Sequence, residues 1–179
     1  MDVVFMEKIV KKKKDSMDYA KIAGLILSVF IIIILSLSVQ FLVAFAPILI
    51  IGSAFGAWWL ISGMNKEYEY SVTENFIDID CIIAQRKRMR VFSGDVKECE
   101  ICARVNTDFY RDYSKSKKTV LNFAPTDDEK KNYFIVTKNN AKKAKTKGET
   151  VLVIFEPDDR MIPSLRKYSP SKIKVDGPF

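Results

Sequence analysis

The chain has 179 residues, 29 Lys and Arg against 22 Asp and Glu, a net charge of +7 and no histidine. That length holds about one domain plus an attachment device. The missing histidine removes the commonest general base and metal ligand, and three cysteines without regular spacing give no disulfide framework and fit a reducing cytosol.

Charge is segregated along the chain. Residues 1–18 form a basic segment, expected in the cytosol, with Lys8 and lysines 11 to 14 against Asp2, Glu7, Asp15 and Asp18. From Ala20 to Met64 only Lys21 is charged, and both flanks of that run are densely charged. Such a split marks a membrane anchor joined to a soluble domain. Residues 22–64 are 43 uncharged residues. As one helix they would run roughly 65 Å at about 1.5 Å per residue, twice the bilayer core of about 30 Å. Two helices fit, at about 19–39 and 41–62. The turn is expected near Gln40 to Pro47, after the polar Ser36, Ser38 and Gln40, with Pro47 disfavouring helix at the residue before it. Ala44-Phe45-Ala46 resembles a signal-peptidase site. The apolar run is too long for a signal peptide, however, continues past that site, and places Pro47 directly after it.

The second helix carries Gly52 and Gly56 in a G-x-x-x-G pattern, which lets helix backbones approach closely, within the hairpin or between copies. Trp58 and Trp59 near its end suit the membrane interface. Lys8, lysines 11 to 14 and Lys21 precede the first helix, and Lys66, Arg86, Lys87, Arg88 and Arg90 follow the second. The intervening turn is uncharged, so both termini are expected to be cytoplasmic and the number of crossings even.

Residues 66–179 read as mostly β. Glu67 to Thr73 and Phe76 to Ile83 alternate with period two around the turn signal Glu74-Asn75, which predicts a hairpin. Further strands are expected at 89–92, 96–105, 119–124, 133–137 and 149–155, with 106–118 a loop. Asp158 or Asp159 can cap a C-terminal helix at about 159–168, where Met161, Leu165 and Tyr168 recur at helical spacing. Seven strands and one amphipathic helix predict an antiparallel barrel or sandwich capped by that helix.

Two membrane helices, then EYEYSVTENFIDIDCIIAQRKRMRVFSGDVKECEI, then TVLVIFEPDDRMIPSLRKYSP, resemble small membrane proteins of Gram-positive, Clostridia-type anaerobes that carry a bacterial pleckstrin-homology-like (PH-like) domain. The resemblance covers most of the chain and rests on element order and texture. It implies fold and location and transfers no functional residue.

No G-x-S-x-G, P-loop or G-x-G-x-x-G is present. Cys99-x-x-Cys102 lies in an expected strand, where residues three apart face opposite sides, and has no second ligand pair. Asp78 with Asp80, and Glu98 with Glu100, share strand faces as solvated acids do. The candidate contacts are basic: Arg86, Lys87, Arg88 and Arg90 in one cluster, and Lys142, Lys143, Lys145 and Lys147, with Lys138, in another. Beside an anionic leaflet each adds about 1 kcal/mol. Stacking aromatics are not interleaved with them, so nucleic acid is not an expected partner. The reading is a non-enzymatic, membrane-anchored interaction or scaffold module without cofactor or metal. Its expected partners are the bilayer and a protein or a second copy. The alternative is a domain that senses anionic lipid through the basic clusters.

Overall fold

A computed structural model describes residues 5–116, 119–126 and 128–174. The chain divides into two compact units, Lys13–Lys66 and the remainder, residues 1–12 with 67–179.

The smaller unit holds three helices, α1 (Ser16–Ser38), α2 (Gln40–Val43) and α3 (Ala46–Gly63). Asp15 precedes α1, its N–H donating to the Asp18 carboxylate, and both acids sit where a helix start favours negative charge. Val39 leaves the helical region (φ −96°, ψ 112°) and breaks the run between α1 and α2. Pro47 lies in the first turn of α3, where its missing N–H costs nothing. The expected helices 19–39 and 41–62 thus compare with Ser16–Ser38 and Ala46–Gly63, and α2 occupies part of the expected turn. Ile26, Val29 and Ile33 of α1 face Ala54, Ala57 and Ile61 of α3 across an apolar groove. The other faces are also apolar and exposed, among them Ile34, Phe41, Ile48, Ile51 and Phe55.

Among its described residues the larger unit contains eight strands, one more than the sequence predicts. The additional one is β1 (Phe5–Lys11), inside the segment expected to lie apart from the β domain. It pairs antiparallel along its whole length with β2 (Lys66–Thr73), from Phe5 opposite Thr73 to Lys11 opposite Glu67. Met6 and Val10 turn inward onto the core, and Phe5, Glu7, Ile9 and Lys11 turn out. This corrects the expected boundary: the β domain begins before the apolar helices and resumes after them.

β3 (Phe76–Ile83) and β4 (Lys87–Asp95) complete the first sheet, in the order β1-β2-β3-β4. The second sheet is built from β5 (Ile101–Arg104), β6 (Thr119–Asn122), β7 (Tyr133–Lys138) and β8 (Thr150–Phe155), in the order β5-β7-β8-β6. Its β6–β8 pair is parallel, against the all-antiparallel expectation. The fourth expected strand, 96–105, shortens to β5, because Val96 to Cys99 forms a turn closed by Cys99 N–H on the Val96 carbonyl.

The sheets face each other over a core that includes Tyr70, Ile77, Ile79, Phe92, Ile135, Val153 and Phe155. Each of these large side chains contributes about 1.5–3 kcal/mol by leaving water. Gly94 keeps β4 close to β7, since a Cβ there would come within 2.6 Å of Phe92 and 2.7 Å of Thr137. A second apolar layer, with Phe134, Val136, Leu152 and Ile154, lies on the other face of β7 and β8. Tyr110 and Tyr113 of α4 (Asp108–Lys115) cover Phe134 there. Buried on both faces, Tyr133 to Val136 and Val151 to Phe155 are continuous apolar runs rather than alternating ones. The helix α4 occupies 108–115 of the expected loop at 106–118, of which 117 and 118 lie outside the described residues.

The barrel does not close. Among the described residues no strand ladder joins the sheets. Between β4 and β7 the seam is held by Asn139, fully buried, whose side chain accepts from Ser93 N–H (3.2 Å) and donates to the Val91 carbonyl (3.2 Å). On the other side Lys8 of β1 donates to Glu156 (3.0 Å) and to the Pro157 carbonyl (3.1 Å), just past β8. The C-terminal helix α5 (Met161–Arg166), shorter than the expected 159–168, buries Met161, Ile162 and Leu165 against the core.

Candidate functional site

The β3–β4 hairpin turns at Ala84 and Gln85, both with left-handed φ (52° and 57°), and carries the first basic cluster. Its register sets Asp80 opposite Arg90 and Ile82 opposite Arg88, on the outer face of the first sheet. Arg88 and Arg90 are therefore committed to carboxylates. Arg88 Nε donates to Asp80 Oδ2 (2.8 Å), and its terminal nitrogen contacts Glu69 and lies 3.9 Å from Glu7. Arg90 Nε donates to Asp80 Oδ1 (2.9 Å), and its terminal nitrogen reaches Asp78 (2.7 Å). Arg86 and Lys87 remain at the turn and the strand's start.

Four carboxyls thus surround two guanidinium groups, and the buried ones respond oppositely. Burial, a hydrogen bond with Glu7 and neighbouring acids push the Glu69 carboxyl up to about 7, against the pull of Arg88. For Asp80, burial also pushes upward, but hydrogen bonds from Arg90 and Arg88 outweigh it and hold the carboxyl below its ordinary range.

The second basic cluster sits on the β7–β8 loop. Asn139 organises that loop, accepting from Ala141 N–H (3.0 Å) and donating to Thr146 (2.9 Å), while Gly148 N–H closes on the Asn139 carbonyl (2.7 Å). Lys142, Lys143, Lys145 and Lys147 project from it, all exposed. Because Asn140 N–H also bonds the Ser93 carbonyl, the loop docks along β4, the strand that starts at Lys87. About five residues of strand, roughly 17 Å, separate the two clusters along that edge.

The other sequence candidates carry less chemistry. Cys99 lies in the turn before β5 and Cys102 within it, both buried as free thiols. Burial pushes both thiols up, Cys99 to about 11, so both are protonated at neutral pH. Glu98 and Glu100 are exposed. A Cβ on Gly52 or Gly56 would meet nothing within 4 Å, so the hairpin itself makes no close approach there.

The sequence reading missed a cleft of about 600 Å³ at one end of the second sheet. There β5 leaves with Arg104, β7 enters behind Lys130 and Lys131, and β8 leaves into Glu156, Asp158 and Asp159. The register, with Arg104 opposite Tyr133 and Tyr133 opposite Phe155, brings these three ends together. Arg104 Nε donates to the Tyr133 hydroxyl (2.9 Å). Short charge runs such as Lys130-Lys131 carry no signal in one dimension; only the strand register makes them neighbours.

Two facing sheets over an apolar core, with a covering C-terminal helix, form the architecture of a chain that the family comparison places among PH-like domains, a class of generally non-catalytic interaction modules. The family model for Bacterial PH-like domain (DUF6106) matches residues 1–175, and the chain belongs to that family. No curated protein and no solved structure matches the chain.

Proposed function

We propose that this chain is a membrane-anchored interaction module. Its helical hairpin crosses the cell membrane twice and holds the PH-like domain, with both termini, at the cytoplasmic face. There the domain presents a surface to a protein partner or a second copy and performs no catalysis.

The pairing of β1 with β2 carries this reading. β1 ends at Lys11, shortly before α1 starts at Ser16, and β2 begins at Lys66, shortly after α3 ends at Gly63. Strands hydrogen-bonded along their whole length lie on one side of a bilayer. A chain that leaves β1, runs through α1 and α3 and re-enters β2 therefore crosses an even number of times. Helix lengths agree: 23 and 18 residues span about 35 and 27 Å. The exposed apolar side chains of both helices find in lipid tails the cover that water denies them. Lysines on both flanks favour the cytoplasm.

Topology is the test. A fluorescent protein and an export-dependent phosphatase are fused separately to the C-terminus. Fluorescence with a silent phosphatase is expected. An active phosphatase would place the domain outside and end the proposal.

The lysine loop favours a second reading, contact with anionic lipid. Its four lysines are exposed and have no ion pair among the described residues, whereas Arg88 and Arg90 are held by acids. The lipid surface then narrows to Lys87 and the loop. In nanodiscs, phosphatidylglycerol should slow tryptic cleavage at residues 142–147 relative to phosphatidylcholine, and salt should remove the protection. Equal cleavage in both lipids would discard this reading.

A further inference from the structure

We propose that the cleft at the end of the second sheet binds a small phosphorylated polyol, with the phosphate on its cationic flank and the hydroxyl groups on its acidic flank. This goes beyond the anchoring reading and rests on different residues.

The sheet order β5-β7-β8 separates the charges. Arg104, Lys130 and Lys131 come from the β5 and β7 ends, and Glu156, Asp158 and Asp159 from the β8 end. Most of the acids are already balanced. Lys8 neutralises Glu156 at 3.0 Å. Arg160 pairs with Asp158 at 3.1 Å, and that carboxylate also accepts the Arg160 backbone N–H. Among the described residues Asp159 has no ion pair on one flank, and Arg104, Lys130 and Lys131 have none on the other. The cleft therefore has an excess of positive charge concentrated on one side.

Arg104 is oriented for the task. Its Nε is held by the Tyr133 hydroxyl, which fixes the guanidinium and leaves its two terminal nitrogens to meet an anion. A fixed fork of donors matches the oxygens of a phosphate, and the two lysines add point charges. Across the cleft, carboxylates are acceptors only, and hydroxyl groups satisfy them. The floor is apolar, from Ile162 and Pro163 at the start of α5. About 600 Å³ lies within the range of small-ligand sites. A bare inorganic anion would use only the cationic flank, whereas a phosphorylated polyol uses both.

Glycerol 3-phosphate is the smallest probe with both ends, and its chemistry recurs in the headgroup of phosphatidylglycerol. Calorimetric titration of the full chain in nonionic detergent should show saturable binding of glycerol 3-phosphate, weaker binding of inorganic phosphate and none of glycerol. The exposed pair Lys130→Gln/Lys131→Gln should weaken both phosphate ligands by about tenfold or more, the scale of one lost charge-assisted hydrogen bond. Asp159→Ala should bring glycerol 3-phosphate down to the level of inorganic phosphate. Unchanged circular dichroism confirms that either variant is folded. Nanodiscs separate the two sources. If phosphatidylglycerol discs, but not phosphatidylcholine discs, suppress the titration, the lipid headgroup occupies the cleft; if neither does, the ligand is a free phosphate ester. No saturable heat with glycerol 3-phosphate, or wild-type affinity in the Lys130/Lys131 variant, overturns the proposal. Neither result bears on membrane topology.

Discussion

At neutral pH the Glu69 carboxyl is poised between two states. The alternating stretch Glu67-Tyr68-Glu69-Tyr70 reads as acids facing water, yet Glu69 is only 2 % exposed. It lies under Arg88 and beside Glu7 and Asp80, where four carboxyls share two guanidinium groups. The excess negative charge favours one retained proton, and the most buried carboxyl keeps it, with a pKa raised from 4.5 to about 7. Because the folded value lies above the unfolded one, the stability this proton contributes is complete below about pH 4.5 and is lost as pH rises through about 7. Asp80, held below its ordinary range, does not titrate in that window. The β domain should therefore lose on the order of 2 kcal/mol between pH 5 and pH 8. Glu69→Gln should remove most of that slope and leave the variant nearly as stable at pH 8 as at pH 5. Thermal melts of the β-sheet dichroism at the two pH values measure both. A flat wild-type profile would mean that Glu69 is ionised throughout.

Hairpin turns show, element by element, what the sequence could reveal. The β2–β3 turn is legible at Glu74-Asn75, and Glu74 takes the left-handed φ (53°) that such a turn requires. The β3–β4 turn is silent in sequence, because Ala84 and Gln85 are poor residues for the two left-handed positions they occupy. Arg86 N–H nevertheless closes on the Ile83 carbonyl at 3.0 Å, the bond of a β-turn with Ala84 and Gln85 at its centre, inside a three-residue connection. Placing Asn-Gly there, as Ala84→Asn/Gln85→Gly, should stabilise the domain by about 1 kcal/mol and raise its melting temperature by a few degrees. An unchanged or lower melting temperature would show that the turn is not strained. The central strands β7 and β8 were legible because both faces are apolar. α4 was not, since eight residues with aromatic contacts on one side look like a loop. β1 was hidden for a stronger reason: Lys8 points inward, and only its bonds to Glu156 and Pro157, remote in sequence, make that tolerable. The parallel β6–β8 pair and the cleft share this origin in long-range register, which no local pattern encodes.

At the scale of the whole molecule, the helical hairpin is an insertion between the first two strands of the β unit. Lys11 and Glu67 are paired residues, so their Cα atoms stand about 5 Å apart although the chain between them runs through three helices. A tight turn spans the same gap. Extending the register by one pair sets Lys12 beside Lys66, and two residues suffice to join them. Replacing residues 13–65 by Asn-Gly should thus convert β1 and β2 into an ordinary hairpin. The core built from Met6, Val10, Tyr68, Tyr70 and Val72 lies wholly on the β side of the cut and stays intact. The removed part carries most of the exposed large apolar side chains. The shortened chain should be soluble without detergent and should unfold cooperatively in urea, and it should retain the pH response of Glu69, which lies in the β unit. Deleting residues 1–12 as well should abolish cooperative unfolding, because β2 would lose its only partner on that edge, and the core would lose Met6 and Val10. Aggregation of the first variant would show that the β unit needs its membrane helices to fold. Cooperative folding of the second would show that β1 merely rests on the sheet, and the strand pairing would then no longer support an even number of crossings.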